Sequence, residues 1–248
     1  MLQRYRLSND TKLAVVGDIH EHEYQFDELV KLIKPSEKML LVSVGDIYDK
    51  GFGPEAAESI TKKLQILVDN KVAYAVRGNH ELKHIRKTRR DPSPGIQWWR
   101  KQPLVLNFCY DNGSMITVLH GGVTPLHTWN NLSDIEICYV RTIDEDGKMI
   151  KLQWVEKEGK KELIPEKSNG KVWHHLYDGR FGYIASGHDV QSDGTPKFYN
   201  YSCNLDSGCY MTGKLSCQIF SSQGREDLLT VEGPFKNGLL SPNQVQEM

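Results

Sequence analysis

Between residues 12 and 76 the chain alternates three short apolar runs with two stretches of helical periodicity. The first run, residues 12–17 (KLAVVG), stops at a glycine, as a buried strand entering a loop would. Phe26, Leu29, Val30 and Ile33 then recur at steps of three and four until Pro35 closes the helix. A second run, residues 39–44 (MLLVSV), is followed by Pro54 and a helix whose apolar face carries Ile60, Leu64, Leu67 and Val68. Residues 72–76 (VAYAV) supply the third strand. This order predicts a parallel sheet covered by helices, and such a sheet opens the carboxyl ends of its strands along one edge, where ligand sites form.

After Arg77 the pattern changes. A basic helical stretch is expected at residues 83–90, a loop at 91–95, and strands at 104–108 and 115–119. Further strands are expected at 183–186, 197–201, 215–220 and 228–231, which makes the second half strand-rich and implies a second sheet. Residues 144–171 are charged and weakly patterned, with Gly147, Gly159 and Gly170 as punctuation, and are expected to form an insertion over the surface. The 248 residues fit one domain, residues 1–248, carrying that insertion.

Chemistry is concentrated where the strands end. The first runs into Gly17, Asp18, Ile19 and His20, the second into Gly45 and Asp46, and the third into Gly78, Asn79, His80 and Glu81. Two later apolar runs end at His120 and at His188, each beside glycine. A single Gly-Asp after a strand is ordinary turn chemistry. Five strand ends that each deliver a metal-capable side chain to one edge point instead to a metal site. Asp18 and His20, two residues apart, can reach one ion, and a carboxylate such as Asp46 can bridge two. Paired divalent ions polarise a phosphoryl group and share a nucleophile when about 3.5–4 Å apart. Mixed nitrogen and oxygen donors favour manganese, iron or zinc over magnesium or calcium.

The motifs GDIH (17–20), GDIYDKG (45–51), RGNHE (77–81), LHGGVTP (119–125) and GHD (187–189) resemble, in order, those of the phosphoprotein phosphatase branch of the calcineurin-like metallophosphoesterases. The resemblance spans residues 12–220 and implies an α/β fold of two mixed β-sheets in a sandwich flanked by helices. It implies Asp18, His20 and Asp46 as ligands of a first metal, and Asp46, Asn79, His120 and His188 as ligands of a second. Manganese is the leading ion, with iron, zinc and nickel as the others. His80 matches the general acid and Asp49 the carboxylate that orients it, a pairing that keeps an imidazole proton available near neutral pH. Arg141, in CYVRT, resembles a phosphate-binding arginine that also stabilises the charge of the reaction, and Arg77 matches a further arginine of the motifs, expected to bind the substrate phosphate or to buttress its loop. Lys50 is expected to bind the substrate phosphate where the family supplies an arginine, so a point charge replaces a planar fork.

Other segments lean toward the bacterial and phage members. WWRKQPLVLNF (98–108) and NLDSGCYMTGKL (204–215) resemble stretches of symmetrical dinucleoside tetraphosphatases. At helical spacing only one of Trp98 and Trp99 is expected to be buried. GHDV replaces the usual GHTP, whereas GNHE is common in protein phosphatases. The leading expectation is a metallophosphatase that hydrolyses phosphate monoesters, on phosphoserine, phosphothreonine or small molecules, by in-line attack of a hydroxide held between the ions. Symmetrical cleavage of dinucleoside tetraphosphates is second, repair of nucleic-acid ends third, and a binding module without turnover is the reading of a different class. Residues 144–171 adjoin Arg141 in sequence and would form a lid that selects the substrate.

Composition narrows the partners. A net charge of -1 with dispersed basic residues excludes an extended nucleic-acid surface. The polar first ten residues and the absence of a run of about 18 apolar residues predict a soluble, cytoplasmic protein with no membrane segment. Five cysteines at spacings that match no zinc pattern are expected to be reduced and mostly buried.

Overall fold

A computed structural model describes residues 2–88, 92–157 and 160–235. Arg90, Asp91 and Gly159, named above, lie outside the described residues. The chain opens with β1 (Leu2–Leu7), β2 (Lys12–Val16), α1 (Glu23–Ile33), β3 (Met39–Ser43), α2 (Pro54–Asp69) and β4 (Ala73–Ala75). It continues through α3 (Asn79–Lys87), α4 (Pro94–Trp99), β5 (Val105–Tyr110), β6 (Met115–Leu119) and α5 (Asp134–Tyr139). β7 (Thr142–Ile143) and β10 (Lys171–Val172) flank the charged segment, which carries β8 (Leu152–Lys157) and β9 (Lys160–Pro165). Last come β11 (Tyr183–Ser186), β12 (Lys197–Phe198), β13 (Ser202–Asn204), α6 (Cys209–Thr212), β14 (Lys214–Ser221) and β15 (Gly224–Glu232).

Two mixed sheets form a sandwich, one ordered β15-β14-β2-β3-β4 and the other β1-β5-β6-β11-β13-β12. The alternation of side chains along β2 shows why its run is apolar throughout. Leu13 and Val15 pack between the sheets with Val42, Phe108, Val118 and Ala185. Ala14 and Val16 face the other way, toward Phe26 and Leu29 of α1 and Ile60 and Leu64 of α2. A third cluster, with Leu119, Ile137, Trp173 and Ile184, covers the outer face of the second sheet. Among the described residues no helix is long and apolar enough to cross a membrane.

The structure differs from the sequence expectations in four respects. The polar amino terminus forms β1, which pairs in parallel with β5. β14 and β15 join the first sheet, because β14 pairs antiparallel with β2. Residues 197–201 give a two-residue β12, and Ser202–Asn204 forms the separate strand β13. Both tryptophans of α4 are buried, Trp98 at 9% and Trp99 at 0% exposure. The reason is that α4 packs against both α2 and α3, and the Trp99 indole donates to Thr61 Oγ1 at 3.0 Å. The five cysteines are free thiols, four of them buried.

Candidate metal centre and substrate groove

β2, β3 and β4 run parallel, as do β6, β11 and β13, so six carboxyl ends open onto one region. The loops leaving them are strained. Of the eight non-glycine residues with positive φ among the described residues, His20, Glu21, Asp46, Asp49, Lys50 and His188 lie in these loops. Such conformations persist only where surrounding structure fixes them. Glu81, fully buried, accepts the amides of Asp46 and Ile47 at 2.8 Å and of Gly78 at 2.7 Å. Glu21 accepts the amides of Asp49 and Gly51 at 2.9 Å and of Gly53 at 3.0 Å. These two carboxylates clamp the β3–α2 loop, and the sequence reading gave neither that role.

The clamped loop aims Asp46 at the centre of an imidazole cluster. Asp46 Oδ2 lies 3.3 Å from His120 Nε2, 3.7 Å from His20 Nε2 and 3.8 Å from His80 Nε2. His120 Nδ1 donates to Val44 O at 2.9 Å and His20 Nδ1 to Tyr48 O at 3.1 Å, which turns both Nε2 lone pairs inward. Two donor groups meet at Asp46, one with His20 and His80, the other with His120 and His188. Asn79 Oδ1 lies 2.9 Å from His120 Nε2, and the Asp18 carboxylate accepts the His188 amide at 3.2 Å. A Cβ at Gly187 would sit 1.8 Å from Asp18 Oδ1, so this approach requires glycine.

The charge balance fits bound cations. Burial pushes the Asp18 carboxyl well above its ordinary value, and the neighbouring Asp206 adds to the rise. Burial also raises Asp206 to about 6. Burial lowers His20 to about 3 and, with Arg141 beside it, lowers His188 well below the ordinary range. Asp46 moves the other way: burial raises it, but the imidazoles led by His120 outweigh that and hold it well below the usual carboxylate range. Burial lowers His120, but the charges of Asp46 and Asp18 outweigh it and raise that imidazole to about 9. Buried carboxylates that repel one another, with the neutral imidazoles of His20 and His188 and with His120 drawn to Asp46, form a nitrogen and oxygen donor set suited to divalent ions.

His80 stands at the rim, its Nδ1 2.6 Å from Asp49 Oδ2. Burial raises the Asp49 carboxyl, yet hydrogen bonds from Lys83, His84 and His80 prevail and hold it well below the ordinary range. Lys50 does not face the groove. Its Nζ lies 3.3 Å from His20 Nε2 and 4.4 Å from the centre of the Tyr210 ring, on the Asp18 side of the cluster. Arg77 sits behind the cluster, donating its amide to Pro103 O and accepting the Cys138 thiol at its carbonyl.

A groove of about 480 Å³ leads to the cluster, with Asn79 and His188 at its floor. Arg86, Arg141 and Lys151 supply three cations, and Ile135, Tyr139, Ile150 and Leu152 form its apolar wall. Arg141 is held at the floor by its bond to His188 O at 3.1 Å. Residues 149–152 belong to the charged segment 144–171, and among the described residues the β8–β9 hairpin that follows pairs with no other strand. Arg86, Tyr139 and Lys151 were not singled out from the sequence, because no strand ends at them.

The calcineurin-like phosphoesterase family matches residues 11–192. The chain is 25% identical over 239 residues to the asymmetrical bis(5'-nucleosyl)-tetraphosphatase PrpE of Bacillus cereus strain Q1, over 83% of this chain and 89% of that one. Its fold is shared by a structure provisionally described as a diadenosine tetraphosphatase, with 23% identity, a TM-score of 0.68, and coverage of 93% of this chain and 97% of that one. A protein serine/threonine phosphatase from Saccharomyces cerevisiae also shares it, at 17% identity and a TM-score of 0.57 over 93% of this chain and 84% of that one. The chain belongs to the calcineurin-like phosphoesterase family and is a phosphoester hydrolase.

Proposed function

We propose that the chain hydrolyses phosphate esters at a centre of two divalent ions, manganese first among them, held by Asp18, His20 and Asp46 on one side and Asp46, Asn79, His120 and His188 on the other. The observation that carries this reading is the position of Asp46, whose Oδ2 lies within 3.8 Å of three imidazole nitrogens in two adjoining donor groups. Ions bound there would supply Lewis acidity and an activated water at neutral pH. Arg141 holds a phosphoryl oxygen at the groove floor. His80 delivers its Nε2 proton to the leaving oxygen, and Asp49, bonded to Nδ1, stabilises the imidazolium that does so. Lys50, on the Asp18 side, acts on charge within the cluster more than on substrate in the groove. Arg77 serves as a buttress to the same loop.

Phosphate monoesters, including phosphoserine and phosphothreonine, are the leading substrates, and the cytoplasm is the expected compartment. Cleavage of a dinucleoside polyphosphate is a second reading with its own support. Three cations and an apolar wall that includes the Tyr139 ring suit a ligand that carries several phosphates and a flat base. The Bacillus cereus relative is named for such an activity. Metal-stripped protein reloaded with manganese, nickel, zinc or magnesium separates the readings. Faster turnover of an aryl phosphate favours the monoester. Faster turnover of a dinucleoside tetraphosphate favours the second, and its products, two diphosphates or a mono- and a triphosphate, report symmetrical or asymmetrical cleavage. No turnover of either with any ion overturns both.

A further inference from the structure

β13 pairs in parallel with β11, so its carboxyl end opens beside His188 on the same edge as the other five. Two residues beyond that end lies Asp206, fully buried. The chain just before it is pressed against β2: a Cβ at Gly17 would lie 2.2 Å from Leu205 O, which sets Asp206 next to Asp18. The charged groups facing Asp206 are Lys50, Asp46, His120 and Asp18.

Every other polar atom of Asp206 is committed. Its amide donates to Asn204 Oδ1 at 3.1 Å, its carbonyl accepts the Gln191 amide at 3.0 Å, and its Oδ1 accepts the Gly208 amide at 3.0 Å. Among the described residues its Oδ2 is buried without a partner. Oδ1 alone serves the turn, and an asparagine would serve it equally. A buried anionic oxygen with nothing to bind costs folding free energy. What its position offers in return is a negative charge beside Asp18, at the edge of a cluster suited to cations.

We infer that Asp206 is a further anionic donor of the centre, its Oδ2 serving the ion position of Asp18 and His20. The inference rests on the two-ion reading above. Asp206→Asn retains the Oδ1 bond to Gly208 and replaces Oδ2 with an amide that cannot bind a cation. Asp206→Ser, whose hydroxyl also accepts from Gly208, repeats the test with a second side chain. Metal-stripped full-length protein is titrated with manganese by calorimetry, and the loaded protein is examined by electron paramagnetic resonance. The wild type is expected to take up two ions with a spin-coupled signal. The variants are expected to bind one of the two about 10- to 100-fold more weakly, with the uncoupled signal of a single ion at limiting metal. Variants that take up both ions with wild-type affinity overturn the role of Asp206. A wild type that takes up no metal overturns the two-ion reading itself.

Discussion

The strand-end residues are buried, the carboxylates held by backbone amides and the imidazoles by backbone carbonyls, whereas the groove that leads to them is walled by more exposed side chains. Asp18, His20, Asp46, His120 and His188 are all 4% exposed or less, while Ile135 is 49% and Leu152 37% exposed. The first region rests on strands paired across the whole chain and on the clamps Glu21 and Glu81. The second rests on α3, α5 and the charged segment 144–171, whose hairpin, among the described residues, pairs only with itself. Rigid, pre-aimed donors suit chemistry that tolerates little displacement. A wall of exposed residues suits selection among substrates, and it changes at small cost to stability. The proposed function therefore places reaction class and substrate choice in different parts of this molecule.

Substitutions should divide along the same line. Asp46→Asn removes the shared anion and is expected to lower turnover by at least about 1,000-fold on every substrate, with loss of metal uptake. Near-normal turnover on any substrate would break the comparison. His80→Asn should cost about 100- to 10,000-fold on alkyl phosphates, and much less on an aryl phosphate whose leaving group departs unprotonated. Equal losses on both would remove His80 from the role of proton donor. Arg86→Ala and Lys151→Ala should raise KM for a dinucleoside tetraphosphate by about threefold to tenfold, leaving aryl phosphate kinetics and metal uptake unchanged. A uniform fall in kcat would show that the groove is not separable from the centre.

The smallest effect is on acid stability. The Asp49 carboxyl is held low in the folded chain, so its stabilising contribution is complete above the unfolded value of about 3.9 and is lost as pH falls toward the folded one. The gap in urea midpoint between wild type and Asp49→Asn should thus be widest near pH 5 and narrow below about pH 4. A gap that does not change across that range would mean that the ion pairs of Asp49 with Lys83 and His84 contribute nothing to folding.

The alternation of apolar runs and helical spacing in residues 12–76 already specified β2, α1, β3, α2 and β4, because local periodicity decides which faces are buried. The rule that parallel strands open ligand sites at their carboxyl ends singled out Asp18, His20, Asp46, Asn79, His120 and His188, which the fold brings together. The same rule reaches Asp206, but β13 is three residues long and its run merges with β12, so no local pattern marks the end of that strand. Only the tertiary structure decided that β14 returns to β2, that both tryptophans of α4 are buried, and that Lys50 lies against His20 while Arg86 and Lys151 line the groove. Each of these depends on contacts between segments far apart in sequence, and the periodicity of one segment carries no record of which distant surface it will meet.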